Sequence, residues 1–234
     1  MRHNFFYIKH ESGFFDQSPL NIHPLLTDIE EAAKAGELNL VLDSFSFDIT
    51  SAFKIVELLK QKNVEYSVWL LSKNGSFSTI IALGAKEIRM TSFASLASVD
   101  ATFWMHKFPL VMSLGTPWHL NPCEFIPWIN YVETAVKSSN ALVELERIDE
   151  KAFPSKSRNA AILHYNQLSH MMELYMHSQY RSRASSIADF FQASLGSFDS
   201  AAFFTELKKI GLNVYLMSDE ELTTIENKVN INHV

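Results

Sequence analysis

The stretch Lys73–Ile88, KNGSFSTIIALGAKEI, sets Gly75 directly before Ser76 and then runs apolar and alanine-rich until Lys86. A serine hydroxyl is a poor nucleophile at neutral pH unless a base lies within hydrogen-bond reach and donors face the developing oxyanion. At the first turn of a helix, backbone N–H groups without intrahelical partners point outward, and the helix end carries partial positive charge. Ser76 therefore has the local setting of a nucleophile with part of an oxyanion hole. The same residues also suit a plain helix cap, made by Ser76 or Ser78. Other chemistry-bearing residues say less. His164, His170 and His177 fall on one run of helical periodicity, the last two on one face at heptad spacing. No histidine pair stands in an H-E-x-x-H arrangement, so no metal site is expected. The Met-rich HMMELYM suggests packing or an oligomer seam rather than a cofactor box. Trp104, Trp118 and Trp128 gather near a proline-rich stretch, as groove lining or loop anchors.

Composition narrows the classes. Of 234 residues, 47% are hydrophobic and 20% charged, enough apolar mass for a full core. Only 7 glycines occur, and none falls in G-x-G-x-x-G or G-x-x-x-x-G-K, which excludes a P-loop and argues against a dinucleotide fold. Lys and Arg number 20 against 26 Asp and Glu, a net charge of −6 without a basic stripe, so nucleic acid is not an expected partner. The single cysteine, Cys123, permits no intrachain disulfide and fits a reducing compartment. The N-terminal MRHNFFYIKHESGFF has no signal-peptide pattern, and no run approaches the roughly 18 apolar residues of a membrane span. The expectation is a soluble, cytoplasmic protein without cofactor.

The elements that must position Ser76 alternate. LNLVLDSF (Leu38–Phe45) reads as a buried strand, and the next run, with Asp48 as N-cap, as a helix through Ile49, Ala52, Phe53, Val56 and Leu59. VEYSVWLLS (Val64–Ser72) is a strand, SFSTIIALGAK a helix, EIRM (Glu87–Met90) a third strand, and SLASVDATFWM holds a fourth. Strand and helix at this spacing imply right-handed crossovers and a mainly parallel sheet. Four prolines between Lys107 and Pro127 mark irregular chain. A long helix is expected over Ser155–Ala184, then helices in SIADFFQASLG and DSAAFFTELKKIG, closed by Gly196 and Gly211. LNVYLM (Leu212–Met217) is a late strand, and the polar tail is at most one helix. A single domain spanning 1–234 is expected, with an α/β part at about 38–108, a mainly helical part at about 122–211 and a polar tail at 218–234.

The register from Ser76 to Asp100 resembles the active-serine segment of the ClpP-fold serine peptidases. It is closest to the serine dehydrogenase proteinase branch, relatives of signal peptide peptidase A. That branch reads S-G-G-T-x-I-A-L-A-A-D-E-I-x-M-S, and Ser76 falls on its serine. Ile81, Ala82, Leu83, Ala85, Glu87, Ile88 and Met90 fall on matching positions, and Leu96, Val99 and Asp100 echo L-G-x-V-D. FFTELKKIGLNV resembles the closing helix-to-strand segment, with Gly211-Leu212 in the Gly-Leu place. The likeness covers Leu38–Asp100 well and Asp199–Val214 more loosely.

The resemblance implies an α/β, ClpP/crotonase-like fold of stacked β-β-α units with an added helical layer. It implies a peptidase acting on a peptide or protein substrate, with Ser76 as nucleophile. FWMHKFP resembles the M-x-H-x-P segment of the Clp peptidases, which makes His106 the general base, thirty residues after Ser76. Asp199, twelve positions before Gly211, takes the place of the orienting acid. The first residue set draws on one branch and the histidine on another; in the former, Asp100 is a polar neighbour. An aromatic-flanked His106 with a structural hydrogen bond and N-capping by Asp199 are the plain alternatives. The chain departs from the family at both oxyanion-forming turns. Phe45-Ser46-Phe47 replaces the T-P-G-G turn, leaving Ser46 and Phe47 to present the backbone N–H, and Phe77-Ser78 replaces the glycines after the serine. Phe77 contributes its N–H, while its ring could fill the cleft. Members of the superfamily assemble as rings or trimers, so a homo-oligomer is implied, with Ser155–Ala184 as candidate seam. The competing reading is a catalytically inactive relative kept as a binding or assembly module.

Overall fold

Five apolar runs pair side by side, all parallel, in the computed structural model, which describes residues 4–9, 22–34, 38–44, 49–99, 166, 168–194 and 201–231. In chain order the elements begin β1 (Asn4–Lys9), α1 (Ile22–Lys34), β2 (Leu38–Asp43), α2 (Ile49–Gln61), β3 (Tyr66–Leu70), β4 (Lys73–Asn74) and α3 (Ser76–Leu83). They continue with β5 (Glu87–Met90), β6 (Ser95–Ala97), α4 (residues 168–175), α5 (Ala184–Asp189), β7 (Ala201–Ala202), α6 (Phe204–Lys209), β8 (Val214–Leu216) and α7 (Asp219–Ile231). The protein is α/β, as the alternation of runs predicts.

Two compact units divide the chain. The first comprises Met1–Ala97, Tyr175–Ser182 and Ala201–Val234. Its main sheet has the order β1-β2-β3-β5-β8. Each strand adds to the same edge as the last, so right-handed crossovers send α1, α2 and α3 to one face. The strands carry side chains to alternate faces. Val41 and Trp69 point to the face opposite these crossovers, where Ile225 of α7 closes over them beside Phe5, Tyr7, Leu71 and Met217. Arg89 ties α7 to the sheet by ion pairs to Glu87 and Glu221, its guanidinium 5.1 Å from the Trp69 ring centroid. A smaller sheet, β4-β6-β7, pairs β4 with β6 in parallel and β6 with β7 antiparallel. Thus β3, β4 and α3 form a β-β-α unit that carries the chain from one sheet to the other before the helix begins.

The second unit comprises Ser98–Leu174 and Arg183–Ser200. Its helical residues 168–174 bury Leu168 and Met172, and α5 buries Ile187 and Ala188. A π-helical turn, Phe190–Ser194, follows, and the Phe191 carbonyl accepts the Val99 N–H at 2.9 Å.

Several sequence expectations need correction. The helix expected over Ser155–Ala184 is not continuous among the described residues: it stops at 175, Met176 and His177 leave the helical path, and a 3₁₀ segment covers Ser178–Arg183. The reason is tertiary. The His177 N–H donates to the Leu83 carbonyl at 3.0 Å, and the Gln179 side-chain amide donates to the Lys86 carbonyl at 2.6 Å. His170 and His177 therefore share no helical face. DSAAFFTELKKIG is not helical throughout either, because Ala201–Ala202 extend to pair with β6. Gly211 does end α6, at φ 85°, a conformation that suits glycine. Gly196 lies outside the described residues, as does Asp48.

Candidate functional site

The site lies where β2, β3 and β4 hand over to their next elements, at the carboxyl rim of a parallel sheet. Open α/β sheets place ligands at this rim. β2 ends at Asp43 and is followed by Ser44; β4 ends at Asn74 and is followed by Gly75, whose extended backbone (φ −80°, ψ −176°) is the N-cap of α3. Ser76 is the first helical residue. No side chain caps this helix end, so neither Ser76 nor Ser78 acts as the N-cap.

A buried network fixes the turn. Asn74 Oδ1 accepts from the Ser44 backbone N–H at 3.1 Å and from Ser78 Oγ at 2.9 Å. Asn74 Nδ2 donates to the Ser72 carbonyl at 2.7 Å, and the Gly75 N–H donates to the Ser44 carbonyl at 2.8 Å. One amide side chain therefore locks the end of β2, the end of β3 and the first turn of α3 together. Thr79 Oγ1 donates to the Ala97 carbonyl at 2.7 Å, which anchors the same turn to β6. Ser78 and Thr79 thus spend their hydroxyls on structure. Ser76 does not: among the described residues its hydroxyl takes part in no hydrogen bond, although the residue is only 5% exposed.

The far end of α3 is held differently. Tyr66 donates its hydroxyl to the Ile81 carbonyl at 2.8 Å, and burial holds that phenol protonated far above its ordinary range. A Cβ on Gly84 would overlap the Tyr66 hydroxyl and come within 2.8 Å of Val56 Cγ1. Glycine is required there by space, not by backbone conformation. His177 supplies the backbone donor to Leu83, and burial keeps its imidazole below the ordinary histidine pKa, with Lys86 adding to the effect and Glu65 opposing it.

No protein-family model matches the chain, and no curated protein matches it. Among solved structures, it is similar to the 1510-N membrane-bound stomatin-specific protease. A lysine-to-alanine variant of that protease with a substrate peptide gives a TM-score of 0.49 at 17% identity, over 95% of this chain and 80% of that one. A serine-to-alanine variant gives 0.49 and 17%, over 95% and 84%. ThnE from S. clavuligerus gives 0.31 at 10% identity, over 79% and 89%.

Of the expected triad and oxyanion residues, Ser76 and Phe77 are described. Phe77 is fully buried at the second position of α3. His106, Asp199, Ser46, Phe47 and Asp100 lie outside the described residues, as do Trp104, Trp118 and Trp128. Asn74 and Ser44, which build the turn, were missed. A polar side chain directly before a Gly-Ser pair was the available signal, since Asn commonly bonds the backbone of a turn it opens. No group of three potential metal ligands occurs among the described residues. No helix among them is long and apolar enough to cross a membrane.

Proposed function

We propose that the chain is a serine hydrolase of the peptidase type, with the ClpP/crotonase-like fold and Ser76 as its nucleophile. One observation carries this reading. Of the three hydroxyls in the first turn of α3, two are bound into the scaffold and the third, Ser76, is left unengaged among the described residues. It sits at the positive end of a helix whose eight residues are all buried. In the proposed reaction Ser76 Oγ adds to the scissile carbonyl while His106 takes its proton, with Asp199 holding the imidazole in the required tautomer. The oxyanion meets backbone N–H groups of the α3 turn, Phe77 included, and of the Ser46-Phe47 turn. The leaving amine takes the proton back from His106, and water then releases the acyl group by the same route. No metal or cofactor enters these steps. A peptide or protein is the substrate, and a homo-oligomer, with the 155–184 region as seam, is the proposed assembly in a cytoplasmic setting.

A fluorophosphonate probe tests the core of this reading. Wild type is expected to form a covalent adduct that Ser76→Ala abolishes while keeping the same melting temperature. A folded wild type that takes no label, or a variant that labels equally, overturns it. The second reading, an inactive binding or assembly module, is favoured by the 5% exposure of Ser76 and by Phe77 standing where the family has glycine.

A further inference from the structure

The face of the main sheet that α7 covers carries two rows of side chains. Residues two apart on a strand share a face, so Phe5, Asn39, Ser67 and Glu87 stand in register beside a second row of Tyr7, Val41, Trp69 and Arg89. Ile225 closes over the second row at Val41 and Trp69. Phe5, Asn39 and Glu87 of the first row instead border a cavity of about 340 Å³, with Trp69 and Arg89 beside them and the first turns of α7 as a further wall.

Part of this lining is aromatic. Phe5 meets Trp69 edge to face with ring centroids 5.2 Å apart, and Asn39 Oδ1 accepts the Trp69 indole N–H at 3.0 Å. The charged part sets Glu87, Glu220 and Glu221 against Arg89, a formal surplus of negative charge. The three carboxylates are not engaged alike. Glu221 uses both oxygens, Oε1 for Arg89 and Oε2 for the Ser218 N–H and hydroxyl. Glu87 accepts only through Oε1, from Arg89 at 3.0 Å and from Ser67 at 3.4 Å. Among the described residues, Glu87 Oε2 and the carboxylate of Glu220 accept no hydrogen bond.

The lining already holds one organic cation of its own. The Arg89 guanidinium lies 5.1 Å from the Trp69 ring centroid and pairs with Glu87 and Glu221. Aromatic surface beside unengaged carboxylate is the complement of a positive head on an apolar body.

We propose that this cavity binds a small organic ammonium ion, its apolar body packed on Phe5 and Trp69 and its ammonium group bonded to Glu220 and Glu87. The site is separate from Ser76, whose helix lies on the other face of the sheet, and it does not rest on the peptidase reading.

The test is calorimetric titration of the full chain with 2-phenylethylammonium, 2-phenylethanol and 3-phenylpropionate, which share a phenyl ring and a two-carbon arm and differ in charge. The ammonium is expected to bind one to one, about tenfold tighter than the alcohol, as for one charge-assisted hydrogen bond, and the carboxylate not at all. Its affinity should fall as salt rises. Glu220→Gln, at an exposed position whose carboxylate makes no bond among the described residues, is expected to weaken the ammonium and leave the alcohol unchanged. Glu87→Gln should do the same. Equal affinity for ammonium and alcohol, or no binding of either at millimolar concentration, overturns the proposal. So does a preference for the ammonium that both variants leave intact. Should Glu87→Gln fail to fold, Glu220→Gln and the three ligands still decide.

Discussion

The two ends of α3 solve opposite problems. At its carboxyl end everything is engaged: Tyr66 bonds Ile81, His177 bonds Leu83, and Gly84 leaves space for no additional atom. At its amino end Ser76, a residue only 5% exposed, has a hydroxyl that makes no hydrogen bond among the described residues, while its neighbours are tied down. The contrast teaches that one helix can be anchored from behind so that its front is free for chemistry. Packing and hydrogen bonds at the back hold the first turn in register, and Asn74 sets its direction.

Substitutions at each end should separate stability from reactivity. Gly84→Ala is expected to be the most damaging, about 3–4 kcal/mol by chemical unfolding, because the added methyl overlaps Tyr66 and displaces its bond to Ile81. Labelling of Ser76 should persist in whatever fraction stays folded. Asn74→Ala comes next, at about 2–3 kcal/mol, since it removes the side-chain acceptor of the buried Ser44 N–H and leaves the Ser78 hydroxyl only its longer bond to the Ser44 carbonyl. Here fluorophosphonate labelling should fall even where the protein is fully folded. If Asn74→Ala lowers stability and leaves labelling intact, the division between the two ends is wrong.

Tyr66→Phe should cost about 1 kcal/mol, the loss of one buried hydrogen bond, without touching reactivity. The smallest effect concerns pH. The pKa of His177 lies below its ordinary value of 6.5 in the folded chain because burial disfavours its charge, so the folded state binds fewer protons than the unfolded one. Its contribution to stability is complete above that ordinary value and declines as pH falls below it. Urea midpoints of wild type should therefore drop more from about pH 7 to about pH 5 than those of His177→Gln. Parallel slopes would show that burial of the His177 imidazole does not carry the pH dependence.

Much of this arrangement was legible because local pattern and tertiary role agree. Leu38–Asp43 and Glu87–Met90 are short apolar runs between turn signals, and the structure has them as parallel strands. Ser76 was readable as a helix start because Gly75 interrupts an apolar sequence at a single point. Other features needed knowledge of distant partners. Nothing near His177 ends a helix in sequence: Tyr180, Ala184 and Ile187 continue the spacing without glycine or proline, and only Leu83 and Lys86 reveal why the backbone turns away. The two residues Ala201–Ala202 pattern as helix and become strand only because Leu96 and Ala97 offer an edge. β1 is harder to read, because its apolar run Phe5–Ile8 is only four residues long and its place beside β2 is a matter of pairing. The triad partners proposed for Ser76 fall outside the described residues, so that part of the sequence reading stands as a proposal.

The monotonic strand order has a consequence for synthesis. A ribosome delivers β1, β2 and β3 before α7, together with the crossovers that shield one side of them. The other side, with Val41 and Trp69, waits for Ile225, which is made about 155 residues after the end of β3. At typical elongation speeds the nascent sheet stays uncovered for on the order of ten seconds. During that interval a chaperone that binds exposed aromatic surface has its longest opportunity, and α7 then competes it off when it arrives.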